Sequence, residues 1–383
     1  MRQKAIPALE TLMSAARTIG NPYLERAKKA GRKIVGVLYD EVPEEIISAA
    51  GAVPVLLRGT GSDGTELADP YFRELTCGYT RHTFNEILNG KWDFLDGAVI
   101  YNSCDHMRRI YDNWVRRPVS PVYSFIYAPK KGGELARRFY AEQIRDFLHR
   151  TEERFCVTLN EERLRAAIRL HNEKRRLQRE LYAMQKGRRI ALTGTELLLV
   201  MMAGKSLPVE DYNALLRKLI ASLKSCAETF EPGVRLLYMG AHADEPLFFE
   251  TLESEGGQIV VDSTGFGEQS CELDVREDAD PFEALVSYYF EETPAVPRKF
   301  GTAPARAGHL LRLVKDYAVD GVIVTRLTMC DLWAFEQYML RPVLEKQGIP
   351  SLELETDYIL QNRGQLATRI QAFVESIRSS RGS

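Results

Sequence analysis

The segment from Lys33 to Leu57, KIVGVLYDEVPEEIISAAGAVPVLL, constrains the fold of this chain most strongly. An apolar run ends at Tyr39, Pro43 opens a short helix with two glutamates in its first turn, and Gly51 ends that helix before a second apolar run. Proline just inside a helix start, acids in the first turn and glycine at the end are typical helix boundaries. The segment therefore predicts a strand–helix–strand unit of the kind that builds parallel sheets.

Further apolar runs of strand length alternate with helical patterns along the rest of the chain. Each half is predicted to contain four parallel strands, and the two halves follow the same plan. We expect an α/β fold with two Rossmann-like (flavodoxin-like) doubly wound parallel-sheet domains facing each other, with a helical insert. Beyond the first unit, the predicted strands are 96–101, 121–127, 235–241, 257–262, 320–326 and 349–355.

A stretch of dense charge with helical periodicity separates the two halves. Thr193 and Thr195 before Glu196 indicate the start of one of its helices. We interpret its many basic residues as a solvated helix face. The predicted divisions of the chain are an N-terminal helix at 1–30, a first α/β domain at 31–132, a helical region at 133–230 and a second α/β domain at 231–383.

The charge balance argues against several classes of protein. The 383 residues include 51 Lys and Arg against 53 Asp and Glu, and this net charge of −2 is not typical of a nucleic-acid binder or a polybasic membrane-surface protein. The longest apolar run, LLLVMMA at 197–203, is far too short to span a bilayer. The N-terminal stretch lacks the apolar core of a signal peptide. We therefore expect a cytoplasmic protein with reduced thiols.

Six cysteines carry the clearest chemical signal. None forms a CxxC pair, which argues against a zinc ribbon or a local ferredoxin-type motif. Cys77, Cys104 and Cys330 each precede a predicted helix, where the helix dipole and unpaired backbone N–H groups favour a thiolate. Together they can supply three ligands of an iron–sulfur cluster with one open iron position, although dispersed cysteines are more often structural. The others are Cys156 and Cys226, expected to be buried on helices, and Cys271, in a loop and ambiguous.

The ordered set of motifs resembles the 2-hydroxyacyl-CoA dehydratase and benzoyl-CoA reductase family. Matching pieces are the opening strand–PEE–helix–AAG–strand segment, the first cysteine, NSCDHMRRIYDNW, MCDLWAFEQYMLRPVLEKQGIPSLELETDY and GQLATRIQAFVE. The resemblance covers about residues 30–380. Some family members are heterodimers of two related subunits, and the length of this chain matches the shorter subunit. One departure is Gly265, which stands roughly where family members often carry a cysteine.

The resemblance implies a cofactor and partners. It implies a [4Fe-4S] cluster held by Cys77, Cys104 and Cys330, and a related cluster-bearing subunit in a heterodimer. It also implies an ATP-dependent iron–sulfur activator or ATPase subunit that supplies low-potential electrons, and a CoA thioester as substrate. This chain carries no Walker motif, so ATP hydrolysis is assigned to a partner.

The stretch CDHMRRIYDNW is more similar to the benzoyl-CoA reductase side of the family. The leading hypothesis is therefore an iron–sulfur oxidoreductase subunit acting in ring reduction. The alternatives within the family are a 2-hydroxyacyl-CoA dehydratase subunit, a double-cubane [8Fe-9S] reductase homodimer, and a non-catalytic relay or structural subunit. Outside it, the alternative is a cluster-free α/β binding protein of two lobes.

Three further side chains are catalytic candidates. The resemblance suggests that Glu45, on the PEE helix, approaches the cluster or the substrate, whereas a glutamate in a first turn also favours the helix dipole. Tyr39 at the end of the first strand and His82 after the first cysteine can donate protons or hydrogen bonds. An ordinary core tyrosine and a surface histidine are the competing interpretations.

The basic stretch PRKFGTAPARAGHLLRLVK at 297–315 predicts a site for CoA phosphates. A glycine-containing loop that enters a helix suits phosphate, although no P-loop or GxGxxG pattern is present. The candidate residues are Lys299, Arg306 and Arg312.

Overall fold

The central strands of both sheets are buried on both faces, as parallel strands covered by helices on each side require. Every residue of β1 at Ile34–Leu38 and of β5 at Val234–Gly240 is buried. The computed structural model describes residues 6–39, 41–225, 229–240, 244–293, 296–360 and 362–381.

Each half of the chain contains a four-stranded parallel sheet, and the strand order is the same in both. The predicted α/β fold with two parallel sheets is confirmed. The first sheet has the order β2-β1-β3-β4, with β2 at Val53–Leu56, β3 at Gly97–Tyr101 and β4 at Val122–Ile126. The second has the order β6-β5-β7-β8, with β6 at Gly257–Ser263, β7 at Gly321–Leu327 and β8 at Ser351–Thr356.

Helices connect the strands and form the region between the two halves. In the first half they are α1 (Pro7–Ala16), α2 (Pro22–Lys29), α3 (Glu44–Ala49), α4 (Gly78–Leu88) and α5 (Asp105–Trp114). The helical region contains α6 (Glu134–Phe155), α7 (Glu161–Ala183), α8 (Gly194–Ala203) and α9 (Val209–Ser225). The second half contains α10 (Leu247–Ser254), α11 (Pro281–Ser287), a π-helix (Tyr288–Glu292), α12 (Ala303–Asp316), α13 (Asp331–Lys346) and α14 (Arg363–Arg381). Among these described helices, none has the length and apolar character needed to cross a bilayer.

The helix start predicted near Thr193 is present. The Thr193 hydroxyl accepts the Glu196 N–H at 3.1 Å, and the Glu196 carboxylate accepts the Thr193 N–H at 2.9 Å. This capping box starts α8 because it satisfies two N–H groups that have no partner within the helix. α8 then packs on α1, and α7 packs on α3 and α9. α9 also packs on α1, and α6 packs on β4, so all four helices of the helical region contact the first half.

The N-terminal segment forms two helices, so the prediction of a single helix at 1–30 is wrong. α1 ends at Ala16 and α2 begins at Pro22. The Asn21 side chain accepts the N–H groups of Tyr23 and Leu24, both at 3.1 Å. Proline has no N–H to continue a preceding helix but suits the first position of a new one, so the chain breaks here.

The buried core forms two clusters, one on each face of the first sheet. The larger cluster continues through the helical region into the second sheet. The smaller one includes Cys77 together with Leu327 and Tyr358 of the second half. Tyr358 also accepts the Gly59 N–H at 3.1 Å and donates to Asp244 at 2.6 Å, so the two halves are in direct contact beside Cys77.

Gly78, the first residue of α4, tests this contact. A Cβ at this position would lie 2.8 Å from the Tyr358 Cβ, far inside normal contact distance. We expect Gly78→Ala to lower the free energy of unfolding by about 1–3 kcal/mol, because overpacking forces one segment to move. Urea unfolding of the two proteins measures the difference.

Gly308→Ala, inside α12, is the matched control. A Cβ at Gly308 meets nothing within 4 Å, so alanine there is expected to be neutral or to stabilise by up to about 1 kcal/mol. Equal stability of Gly78→Ala and the unaltered protein would show that the halves do not pack at this point.

Candidate functional site

Three helices begin in the space between the two halves, and a cysteine is the N-cap of each. Cys77 precedes α4, Cys104 follows β3 and precedes α5, and Cys330 follows β7 and precedes α13. All three line one cavity of about 330 Å³ whose wall is formed by both halves and the helical region. The carboxyl ends of the parallel strands thus bring together side chains that are distant in sequence.

Burial raises the pKa of the Cys104 and Cys330 thiols, whereas the helix starts lower it. Burial raises the pKa of Cys104 to about 11 and that of Cys330 to about 12, because the thiolate is poorly solvated. The backbone N–H groups of Met107 and Trp333, each three residues after its cysteine, lower the pKa by favouring the thiolate. Both thiols therefore have hydrogen-bond donors for a negatively charged sulfur although burial keeps them protonated.

Cys77 differs because it has a histidine partner. Burial alone would raise its pKa, but hydrogen bonding from His106 and Thr80 brings the pKa below its ordinary value. The Cys77 N–H donates to His106 Nδ1 at 3.3 Å, and the Thr80 hydroxyl lies 3.5 Å from the sulfur. His106 comes two residues after Cys104, so α5 supplies both a thiol and an imidazole to the site.

The three thiols fit the ligand set of an iron–sulfur cluster. Charge on Cys77 raises the pKa of Cys104, and charge on both raises the pKa of Cys330, so the thiols act on one another electrostatically. Buried thiolates this close together need a cation to offset their charge. The thiols form no disulfide, and among the described residues no fourth cysteine lines the cavity. Three thiolates with N–H donors match a cluster that keeps one iron position open.

The remaining cysteines of the described chain lie outside the cavity. Cys271 is fully buried, and its thiol donates to the Glu268 carbonyl at 3.3 Å, so it is a core side chain. The prediction that Cys156 is buried on a helix is wrong. Cys156 is exposed and is the C-cap of α6, where a left-handed backbone with φ of 53° ends the helix. The prediction for Cys226 concerns a position outside the described residues.

Two strand ends at the cavity have an unusual backbone. Tyr39 after β1 has φ of 89°, and Met329 just before Cys330 has φ of 66°, a region that residues other than glycine rarely adopt. The Tyr39 side chain lines the cavity, and its ring stacks on Tyr101 with 6.3 Å between centroids. The predicted candidate Tyr39 is thus in the same cavity as the cysteines.

Of the two adjacent glutamates on α3, Glu44 rather than Glu45 lines the cavity. Glu45 is fully buried, pairs with Arg175 and accepts the Tyr289 hydroxyl at 2.8 Å. The geometry therefore gives Glu45 a supporting position behind the wall instead of contact with a reacting group. Neighbouring residues on a helix point about 100° apart, and only packing decides which of them faces the cavity.

His82 does not line the cavity either. Its Nδ1 lies 2.9 Å from the Ser62 hydroxyl, and its ring packs on Tyr358. Five residues along a helix correspond to about 500°, so His82 faces away from the side on which Cys77 lies. His106 occupies the position beside Cys77 that the sequence prediction gave to His82.

The three basic residues predicted from 297–315 do not form one phosphate site. Lys299 donates to a backbone carbonyl at 3.2 Å and does not line the cavity. Arg306 does line it, but its buried guanidinium is paired with Glu336 at 2.7 Å. Arg312 is largely exposed and pairs with a glutamate at 2.6 Å. Six residues of helix turn about 600°, so Arg306 and Arg312 face different sides of α12.

Helix α7 supplies a charged inner wall that the sequence prediction missed. His171, Lys174, Arg175 and Gln178 are buried and line the cavity. The prediction that the basic residues of the helical region form a solvated face is therefore wrong for this face of α7. These residues follow the i, i+3, i+4, i+7 spacing of one helix face. Polar residues at that spacing were the sequence signal that could have indicated a buried polar wall.

Lys174 and Lys205 both pair with Glu44 at this wall. The two ammonium nitrogens lie 3.5 Å and 2.9 Å from the carboxylate oxygens. Burial alone would raise the pKa of Glu44, but the two lysines outweigh it and hold the pKa well below its ordinary value. Burial also lowers the pKa of Lys174 to about 8 and that of His171 to about 4, so His171 is neutral at neutral pH.

A buried ion pair joins the two halves at the side of the cavity. Arg298 donates to both carboxylate oxygens of Glu41, at 2.9 Å and 2.7 Å. It also donates to the Tyr101 hydroxyl at 2.7 Å and to the Pro129 carbonyl at 3.1 Å. One guanidinium from the second half therefore contacts three residues of the first.

We expect Arg298→Met to lower the free energy of unfolding by about 3–5 kcal/mol, because it leaves the buried Glu41 carboxylate without its guanidinium. Arg217→Met is the control, since Arg217 pairs with Glu173 at the surface and its loss costs at most about 1 kcal/mol. Urea denaturation measures both. A loss for Arg298→Met no larger than that for Arg217→Met would contradict the role of this pair in joining the halves.

Comparison with known proteins agrees with the resemblance found in the sequence. The chain matches the family described as 2-hydroxyglutaryl-CoA dehydratase, D-component, over residues 41–377. A benzoyl-CoA reductase subunit of Thauera aromatica is 26% identical over 91% of each chain. The (R)-phenyllactyl-CoA dehydratase beta subunit of Clostridium sporogenes is 24% identical, over 92% of this chain and 94% of its own. A putative dehydratase subunit, YjiM, of Escherichia coli K12 is 28% identical, over 97% of this chain and 98% of its own.

These relatives are subunits of dehydratases and of a reductase, and each is matched over nearly its full length. The family match extends from the end of β1 to the last helix, so it includes all three cysteines of the cavity. The chain belongs to the 2-hydroxyglutaryl-CoA dehydratase D-component family.

Proposed function

We propose that this chain is the iron–sulfur-bearing subunit of an enzyme that passes low-potential electrons to a CoA thioester. One observation carries the proposal: three N-cap thiols from both halves line the same cavity. When bound, a [4Fe-4S] cluster supplies one-electron chemistry at low potential. Two relatives are named for benzoyl-CoA and (R)-phenyllactyl-CoA, which supports a thioester as the substrate class.

The residues around the thiols have distinct parts in this proposal. Cys77, Cys104 and Cys330 would hold the cluster. His106 Nδ1 accepts the Cys77 backbone N–H, and the imidazole beside the sulfur lowers the pKa of the Cys77 thiol. Tyr39 lines the same cavity and is the candidate donor to a bound substrate. The walls of both halves would limit the access of water, which strengthens every electrostatic interaction within the cavity.

Ring reduction of an aromatic thioester is the first candidate reaction. The cysteine motif CDHMRRIYDNW favours it, and a benzoyl-CoA reductase subunit is among the relatives. Dehydration of a 2-hydroxyacyl thioester is the second candidate, and the charged inner wall favours it. Glu44, Lys174 and Lys205 line the cavity, and a charged wall contacts the polar substituents of an acyl group more favourably than it contacts an unsubstituted ring.

The proposed assembly contains further chains. The relatives are named as subunits, which supports a partner subunit for this chain. We assign to that partner a related fold with a second cluster, and to an ATP-dependent iron–sulfur activator the supply of electrons. A homodimer with a double-cubane [8Fe-9S] cluster is the alternative assembly.

Anaerobic reconstitution with iron and sulfide tests the cofactor. We expect about four iron atoms per chain and a cluster signal in electron paramagnetic resonance after reduction. Cys104→Ala is expected to lose more than half of the bound iron, because it removes one of three ligands. Iron and sulfide assays on the purified chain give the result.

Cys271→Ala and Cys156→Ala are the matched controls, since both thiols lie outside the cavity. Both are expected to keep the iron content of the unaltered chain. Iron binding that survives Cys104→Ala and is lost in Cys271→Ala would overturn the assignment of the ligands.

The resonance signal of the reduced protein also distinguishes the two reactions. We expect it to change on adding the thioester that the protein uses, because substrate enters the cavity that the thiols line. Benzoyl-CoA changing the signal would support ring reduction, and a 2-hydroxyacyl-CoA changing it would support dehydration, with free CoA as the control. A signal that no thioester changes would contradict substrate binding by this chain and favour a relay role.

A further inference from the structure

The outer face of α13 is apolar where a helix in contact with water is normally polar. Phe335, Tyr338 and Met339 are 73%, 71% and 46% exposed, and Pro342 is exposed as well. The spacing i, i+3, i+4 and i+7 places all four on one face of the helix. Single exposed apolar side chains are common on protein surfaces, but a continuous apolar face indicates a contact with another molecule.

The opposite face of α13 already provides the packing of this helix within the chain. Leu340 and Leu344 are buried there. The buried Gln337 donates from Nε2 to the backbone carbonyls of Val324 in β7, at 2.8 Å, and of Leu354 in β8, at 3.1 Å. The helix is thus held on the second sheet without any contribution from its outer face, which is available for another molecule.

The exposed apolar area of the outer face is that of a protein–protein contact. An aromatic side chain offers about 150–250 Å², so Phe335 and Tyr338 together leave roughly 200–350 Å² in contact with water. Met339 and Pro342 raise this total to on the order of 400 Å². An interface of standard size buries about 800 Å² on each partner, and somewhat more than half of it is apolar. The outer face of α13 therefore supplies about the apolar part of one such interface.

The face is also arranged for pairing with a copy of itself. The midpoint of α13 lies between residues 338 and 339, and Tyr338 and Met339 flank it. Phe335 and Pro342 lie at equal distances on either side of the same point. A two-fold axis through the midpoint therefore brings two antiparallel helices together with apolar side chains opposite apolar side chains. The dipoles of antiparallel helices also attract, because each positive end lies beside a negative end.

We propose that this face is an interface between two copies of the chain, in which α13 of each copy packs antiparallel on α13 of the other. Phe335 of one copy lies opposite Pro342 of the second copy, and Tyr338 of each copy lies beside its counterpart near the two-fold axis. Cys330 is the N-cap of α13 and lines the cavity, so the contact fixes a helix that begins at the candidate site. The inference is independent of the proposed cofactor and reaction, and a related subunit can still bind another face.

Analytical ultracentrifugation of the full-length chain, purified anaerobically, tests the interface. We expect a species with twice the mass of the 43.5 kDa chain. Tyr338→Lys is expected to raise the dissociation constant at least about 100-fold, because it removes an aromatic side chain from each copy and places two lysines beside the axis. Urea unfolding is expected to show no loss of stability in this variant, because Tyr338 is exposed.

Leu135→Lys is the matched control for this substitution. Leu135 is 74% exposed on α6, so the same charge is introduced at an apolar side chain that is equally exposed but lies outside the proposed interface. The dissociation constant is expected to stay within about twofold of that of the unaltered chain.

A thiol cross-link tests the antiparallel arrangement. In a Cys156→Ala background, which removes a native thiol at the surface, Tyr338→Cys places one thiol on each side of the proposed axis. A short bismaleimide is expected to join the two chains and to give a band at twice the chain mass on a denaturing gel. Leu135→Cys in the same background is the control and is expected to remain a single chain.

The outcomes decide the interface separately from the proposed function. A chain that remains a monomer up to about 100 µM, or that pairs only with a different subunit, overturns the interface. A dimer that Tyr338→Lys leaves intact, or that Leu135→Lys dissociates equally, uses another surface and also overturns it. Dissociation by Tyr338→Lys alone, together with the cross-link at residue 338, supports it. A monomer that binds iron through the three cysteines overturns the interface and leaves the proposed function standing.

Discussion

The convergence of strand ends from two parallel sheets is the constraint on which the site depends. Each sheet has the same strand order, so each directs its carboxyl ends, and the N-termini of the following helices, toward the other half. The N-cap of a helix offers unpaired N–H groups to whatever side chain stands there. Cys77, Cys104 and Cys330 occupy three such positions. Side chains brought together in this way are distant in sequence, so a site shared by the three thiols needs no CxxC pair.

Buried ion pairs hold the cavity wall in place and make the helical region part of the site. The glutamates of α3 are each paired with cations from other parts of the chain, and a third glutamate after β1 is paired with the second half. The pairs are Glu44 with Lys174 and Lys205, Glu45 with Arg175, and Glu41 with Arg298. Breaking such pairs is costly because the remaining charge stays buried. The same pairs connect the first half to α7 and to the second half. The ion pairs that stabilise the cavity wall therefore also determine the charge around the cavity.

The sequence predicted the sheets and the cysteine positions because both depend on local patterns. Apolar runs, prolines and glycines mark strand and helix ends, and the three cysteines follow such marks. The side chains that face the cavity were harder to predict because their directions depend on packing. Glu44 lines it in place of Glu45, His106 stands beside Cys77 in place of His82, and the polar face of α7 is buried. For Arg306, the sequence showed a basic residue near a helix start but not its buried partner, Glu336.

The central claim is that the three N-cap cysteines hold an iron–sulfur cluster between the two halves. Anomalous diffraction at the iron edge, from crystals grown anaerobically, tests it most directly. The account predicts one compact group of iron atoms within bonding distance of the sulfurs of Cys77, Cys104 and Cys330. Iron bound elsewhere, or intact reduced thiols with no iron among them after reconstitution, would contradict it.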